Sequence, residues 1–180
     1  MDKIRPIDIN KIFREPIDVL IILLGGIQAP LLCFDVLISR LEEFHFMTDL
    51  DSSVRGQLHI PKKYWFDITE NSERRRSVII NGCQSIANLA FEKLKLQPKL
   101  YDQCKKTTEV RFLGHLRNAG AHGNKFWFKN PSGNLIDPGV IVWSGKTIDV
   151  SLHEKQNVFP DFFSPGDFFH LFDDISKRLQ

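Results

Sequence analysis

The stretch TEVRFLGHLRNAGAHGNKF, residues 108–126, joins a helical apolar pattern to a dense set of groups that meet phosphate. Val110, Leu113 and Leu116 recur at helical spacing. Thr107 or Thr108 supplies a capping hydroxyl, and Glu109 falls in the first turn, where a negative charge suits the helix dipole. Gly123, directly after His122, supplies the stop. On such a helix Arg111, His115, Asn118 and His122 follow at steps of four, three and four and share one polar stripe. Arg117 lies five residues before His122, about 140° away around the axis at 3.6 residues per turn. One regular helix cannot aim both at one atom. Either Gly120 unwinds the helix end, or a second copy of the chain completes the site.

Working outward, a preceding helix is expected from Asn71 or Ser72 to about Leu96, with Val78, Ile79, Cys83, Ile86, Leu89, Ala90, Lys93 and Leu94 at helical spacing and Pro98 as its stop. Further upstream, Ile17, Leu20, Ile21, Leu24, Ile27, Leu31, Phe34, Ile38 and Leu41 trace one stripe of a long core helix, or two in series, with a kink or break near residues 25–30 where Pro30 falls. Residues 47–69, with Gly56, Pro61 and mixed polarity, read as a loop with at most a short turn. Downstream, Phe126, Trp127 and Phe128, the turn NPSGN at 130–134, and GVIVW and KTIDVS joined by Ser144 and Gly145 read as a small antiparallel hairpin or meander. Ser164 then caps a last helix with Pro165 at its first position and Phe168, Phe169, Leu171, Phe172, Ile175 and Leu179 as its apolar face. The expected fold is mainly α: one domain over residues 1–180, helical over about 15–124 and 164–180, with a β insertion over about 125–152.

A chain of 180 residues with 42% hydrophobic and 26% charged residues can bury a single core without staples. Cys33, Cys83 and Cys104 are odd in number and widely spaced, which suits reduced core thiols rather than disulfides or a zinc knuckle. The charge-free run between Asp18 and Asp35 is too short and too broken by Gly25, Gly26 and Pro30 for a membrane span, and the acidic residues before it do not resemble a secretory signal. The expectation is therefore a cytoplasmic protein with no membrane partner. The net charge of +2 hides an uneven distribution: −3 over residues 1–61, +8 over 62–129 and −3 over 130–180. That basic middle third can attract a polyphosphate if the fold gathers it on one side, and otherwise forms solvated helix faces.

No Walker-type phosphate loop, GxSxG, HExxH or carboxylate cluster at metal spacing occurs, so no metal site or cofactor is expected. The segment RNAGAH, residues 117–122, resembles the motif of the HEPN superfamily (higher eukaryotes and prokaryotes nucleotide-binding domains), an arginine followed by four to six residues and a histidine, with a polar residue straight after the arginine. Arg117, Asn118 and His122 match it. The helical outline, a motif near a helix end and a following last helix are similar to that family over nearly the whole chain, and the hairpin around Trp143 resembles an insertion found in some of its branches. The resemblance implies a HEPN-like helical bundle and a metal-independent endoribonuclease, often a toxin or defence protein, whose active site forms across a homodimer. Its partners would be RNA, a second copy of the chain and an antitoxin. Some HEPN toxins carry a tyrosine two residues after the motif histidine, which a partner nucleotidyltransferase modifies; here that position is Asn124.

The implied roles suit the residues. Cleaving RNA without a metal requires a base for the 2′-hydroxyl proton, an acid for the leaving 5′-oxygen and a cation for the phosphate charge. His122 can serve as base or acid, Arg117 as phosphate clamp and Asn118 as orienting group, leaving a 2′,3′-cyclic phosphate. Arg74, Arg75, Arg76, Arg111, His115 and Lys125 are the candidates for gripping RNA. Each also has a structural reading: Arg117 paired with a carboxylate, His122 as a helix-end cation, His115 half-buried, the arginine triple as a solvated helix start. Phe126, Trp127, Phe128 and Trp143 can stack on bases or pack under the hairpin. Arg40 and His45, in RLEEFH, repeat the motif spacing, but Leu41 follows the arginine and the pair reads as part of a structural amphipathic helix. The alternative to a nuclease is a non-catalytic HEPN-type module that binds a nucleotide, nucleic acid or protein partner.

Overall fold

The computed structural model describes residues 12–17, 43–49, 55–61 and 71–179. The chain divides into two compact units, one of Met1–Ile21 with Ile79–Gln180 and one of Ile22–Val78. The described residues are mainly helical, as the apolar spacing predicts, with small antiparallel strand pairs.

In the unit of residues 22–78, β1 (Glu43–Asp49) pairs antiparallel with β2 (Arg55–Pro61), Phe44 opposite Ile60, His45 opposite His59 and Phe46 opposite Leu58. This corrects two expectations: residues 47–69 are not all loop, and His45 lies on a strand rather than in a helix. The physical reason is visible in the letters, because EFHFMTD and QLHI alternate apolar and polar residues with the period of two that a strand requires. Most of the expected helix between Ile17 and Leu41, its break near residues 25–30, Arg40 and Cys33 lie outside the described residues.

Helix α1 (Ser72–Lys95) starts where Asn71 accepts the backbone N–H groups of Glu73 and Arg74 at 3.0 Å on its side-chain oxygen. Its buried stripe is Cys83, Ile86, Ala87, Ala90 and Leu94, the spacing of one helix face. Pro98 does stop α1 but also opens a further, unexpected helix, α2 (Pro98–Cys104), because proline's fixed φ suits a first turn. Helix α3 (Thr108–Ala121) follows. The expected hairpin is present as β3 (Ile141–Trp143) and β4 (Lys146–Ile148). Ser144 and Gly145 both take positive φ, 47° and 76°, the mirror-image turn whose twist matches the strands. Helix α4 (Asp167–Arg178) begins beyond Pro165, with the Asp167 carboxylate accepting from the Ser164 N–H at 2.7 Å and hydroxyl at 2.9 Å.

The core of this unit is built from phenylalanine. Phe112 of α3 lies 5.3 Å from Trp143 and 5.9 Å from Phe163, ring centre to ring centre, and Phe163 meets Phe168 of α4 edge to face at 4.8 Å. Phe13, in the helical segment 12–17, stacks on Phe172 of α4 at 4.7 Å. Trp143 Nε1–H donates to Asp174 at 3.0 Å, which ties the hairpin to α4, and Arg178 donates to Glu109 at 3.2 Å, which ties the end of α4 to the start of α3. Phe126, Phe128 and Trp143 are therefore core residues, leaving Trp127 as the half-exposed aromatic of that group.

Candidate functional site

Helix α3 carries the candidate residues, and its registration is set from both ends. Thr107 is the cap, its hydroxyl accepting from the Val110 N–H at 3.4 Å. Phe112, Leu113, Leu116 and Ala119 are fully buried and orient the helix. Two glycines bring it close to its neighbours: a Cβ at Gly114 would stand 3.3 Å from the Phe91 ring, and one at Gly120 would stand 3.3 Å from Gln84 Cβ. Gly114 and Gly120 thus seat α3 on α1 within the chain.

The helix does not unwind at Gly120. It runs through Ala121, and His122 leaves it at φ −120° and ψ 48°. Gly123 then takes φ 64°, and the Asn124 N–H returns to the Ala119 carbonyl at 3.0 Å, the closing bond of a left-handed helix cap. Asn124 is buried and also at positive φ. Its side chain donates to the Phe159 carbonyl at 2.7 Å and accepts the Phe159 N–H at 2.8 Å. The position compared above with a modifiable tyrosine is here an anchor between the helix end and the Phe159 segment. An asparagine directly after a C-terminal glycine was the sequence signal for it.

Arg117 and His122 are directed to different neighbours within one chain. Arg117 Nη2 lies 3.4 Å from Glu92 Oε1 on α1, and Nη1 donates to Asn118 Oδ1 at 3.4 Å. Its Nε is buried and makes no hydrogen bond. Both members of the Arg117–Glu92 pair are more than a third exposed, so the pair is weak and replaceable. His122 is exposed and lies flat on the indole of Trp127, with centroids 4.6 Å apart and planes 9° apart. Lys129 stands over the same indole at 4.8 Å, and His153 meets its edge at 5.3 Å.

Arg111, His115 and Asn118 do share a stripe, and that stripe lines an open cleft of about 250 Å³ together with Phe91, Tyr101 and Lys105. Phe91 comes from α1, and Tyr101 and Lys105 come from α2 and its end, a helix that the sequence pattern does not announce. Arg111 Nη2 donates to the Pro138 carbonyl at 2.7 Å, and Lys105 pairs with Asp102 at 2.8 Å. The His115 ring meets Phe128 edge to face at 5.3 Å, and its Nδ1 is buried without a hydrogen bond. Burial, reinforced by the nearby Arg111 charge, pushes the imidazole down to about 4, so it is neutral at pH 7.

Arg74, Arg75 and Arg76 lie in the first turns of α1, within the unit of residues 22–78. Lys125 is half-buried and bridges Asn157 through its backbone. Cys83 and Cys104 are buried free thiols, and burial pushes Cys83 up to about 12, so it is inert. Among the described residues no group of three histidine, cysteine or carboxylate side chains is gathered as for a metal ion, and no helix is long and apolar enough to cross a membrane. No family model, curated protein or solved structure matches the chain.

Proposed function

We propose that the protein is a metal-independent endoribonuclease of the HEPN type, a toxin or defence protein acting on RNA as a homodimer. The observation that supports this reading is the helix end at residues 117–122. It holds an exposed imidazole, His122, in a fixed plane on Trp127, and a guanidinium, Arg117, oriented by Asn118 and Glu92. One chain directs these two groups apart, and a two-fold pairing of helix ends would bring both copies of each to a shared phosphate. His122 takes the proton from the 2′-hydroxyl as that oxygen attacks phosphorus. The bond to the 5′-oxygen breaks, and the partner's copy of the histidine returns a proton to the leaving oxygen. Arg117 exchanges its weak contact with Glu92 for the phosphate oxygens, where a bidentate charge-assisted contact is stronger.

The Arg117–Glu92 pair is also the observation that favours the second reading, a non-catalytic module that binds a nucleotide, nucleic acid or protein partner, since it gives the arginine a structural role. One experiment separates the two. Purified protein in EDTA is given a structured RNA, and light scattering measures its assembly. A dimer whose product ends in a 2′,3′-cyclic phosphate is expected. His122→Ala and Arg117→Ala should each lose 10²- to 10⁴-fold in rate while circular dichroism stays unchanged, and His45→Ala should cleave like wild type. Cleavage at the wild-type rate by His122→Ala, or an inert monomer that still binds a partner, establishes the non-catalytic module.

A further inference from the structure

The cleft between α2 and α3 is lined by neither His122 nor Trp127, and its Asn118 accepts a hydrogen bond from Arg117. Its lining has three chemical parts. Phe91 and Tyr101, edge to face at 6.0 Å, form an aromatic wall. Lys105 and Arg111 supply positive charge, and no carboxylate lines the cleft among the described residues. Asn118 offers an amide, and the His115 ring lines the cleft with its Nδ1 buried.

We propose that this cleft binds one nucleotide, with the base against the Phe91–Tyr101 wall and the phosphate on Lys105 and Arg111. The combination excludes simpler occupants. An inorganic anion has no use for two aromatic rings and an amide, and an apolar molecule would strand two cations. About 250 Å³ of open cleft leaves no room for a second nucleotide. Asn118 can both donate and accept, as a base edge requires. The His115 ring, neutral at pH 7, lines the cleft without adding a third positive charge. Arg111 keeps one amino group on the Pro138 carbonyl and has others to offer, and Lys105 shares itself between Asp102 and the phosphate.

This inference deepens the nucleic-acid reading by naming a nucleotide subsite beside Asn118, but its test does not depend on cleavage. Nucleoside 5′-monophosphates, which contain no scissile internucleotide bond, are titrated calorimetrically into the wild-type protein. Inorganic phosphate, the unphosphorylated nucleosides and a phosphotyrosine peptide are the controls. The expected result is that a monophosphate binds at least tenfold more tightly than phosphate or its nucleoside. Lys105→Gln, a change at an exposed side chain that leaves the fold intact, and Arg111→Gln should each weaken it about tenfold. Asn118→Ala should change the preference among the four bases. Equal binding of phosphate and nucleotide, tighter binding of the phosphopeptide, or affinity unaffected by both cation variants overturns the proposal. RNA cleavage by a protein that binds no mononucleotide defeats this subsite and leaves the nuclease reading standing. Mononucleotide binding by a protein that cleaves nothing does the reverse.

Discussion

On one side of α3, Phe112, Leu113 and Leu116 are fully buried, with Phe112 against Trp143 of the hairpin and Phe163; on another, Arg111, His115 and Asn118 line an open cleft. The two sides are interleaved in sequence, yet they answer to different physics. The apolar side gains from every methylene removed from water and has no tolerance for a cavity. The polar side gains little from folding, and at His115 it opposes folding, because the Nδ1 of a half-buried imidazole is buried without a hydrogen bond. A helix that gives up stability along one stripe while overbuilding the other has the pattern expected of a site carried on a rigid scaffold.

The sharpest way to break this comparison is to exchange the costs. Phe112→Ala should destabilise the protein by about 3–5 kcal/mol, because a fully buried ring among Trp143, Phe162 and Phe163 leaves a cavity that its neighbours cannot close. Its sequence neighbour Arg111, replaced by Ala, should cost no more than about 1 kcal/mol by the same denaturant titration. Equal losses at both positions would remove the distinction between the sides.

The next effect is smaller and depends on pH. The folded His115 titrates near 4, against 6.5 for an ordinary imidazole. Between those values the unfolded chain binds a proton that the folded chain refuses, so stability falls as pH drops from about 6.5 to about 4 and is untouched above that window. The loss attributable to this residue is of order 3 kcal/mol when the window is crossed fully. Denaturation of wild type and His115→Gln at pH 7 and pH 4 should show the variant losing less on acidification. Identical pH slopes would mean that His115 is hydrated in the fold.

The smallest effect sharpens the role of Arg117. Glu92→Gln should change stability by less than about 1 kcal/mol, since the ion pair is half-exposed and long at 3.4 Å. If the guanidinium is a phosphate clamp, freeing it from the carboxylate should tighten RNA binding at low salt, and the gain should shrink as salt rises. A fold that collapses in Glu92→Gln would instead make the pair a structural tie.

Legibility in the sequence followed how local the deciding interactions are. The start of α1 at Asn71, the cap of α3 at Thr107, its stop at Gly123 and the Ser144–Gly145 turn depend on hydrogen bonds or φ angles within a few residues, and the letters announce them. The β1–β2 pairing is obscured in the sequence although its alternation is present, because Gly56 and Pro61, which read as loop signals, both lie within the β2 strand. The stripe of Arg111, His115 and Asn118 was readable from spacing alone. Its cleft was not, because Tyr101 and Lys105 reach it from a seven-residue helix whose start at Pro98 reads equally well as a stop.

Period and caps therefore determined that this chain makes helices α1, α3 and α4 around an apolar face and that the motif residues gather near one helix end. Tertiary packing decided what the motif residues touch. Gly120 is spent on contact with Gln84, Asn124 on anchoring the Phe159 segment, Arg117 on Glu92 and His122 on Trp127. Periodicity reports the direction in which a side chain leaves its own helix, whereas the partner it meets lies between 5 and 36 residues away and is chosen by the packing of the whole core.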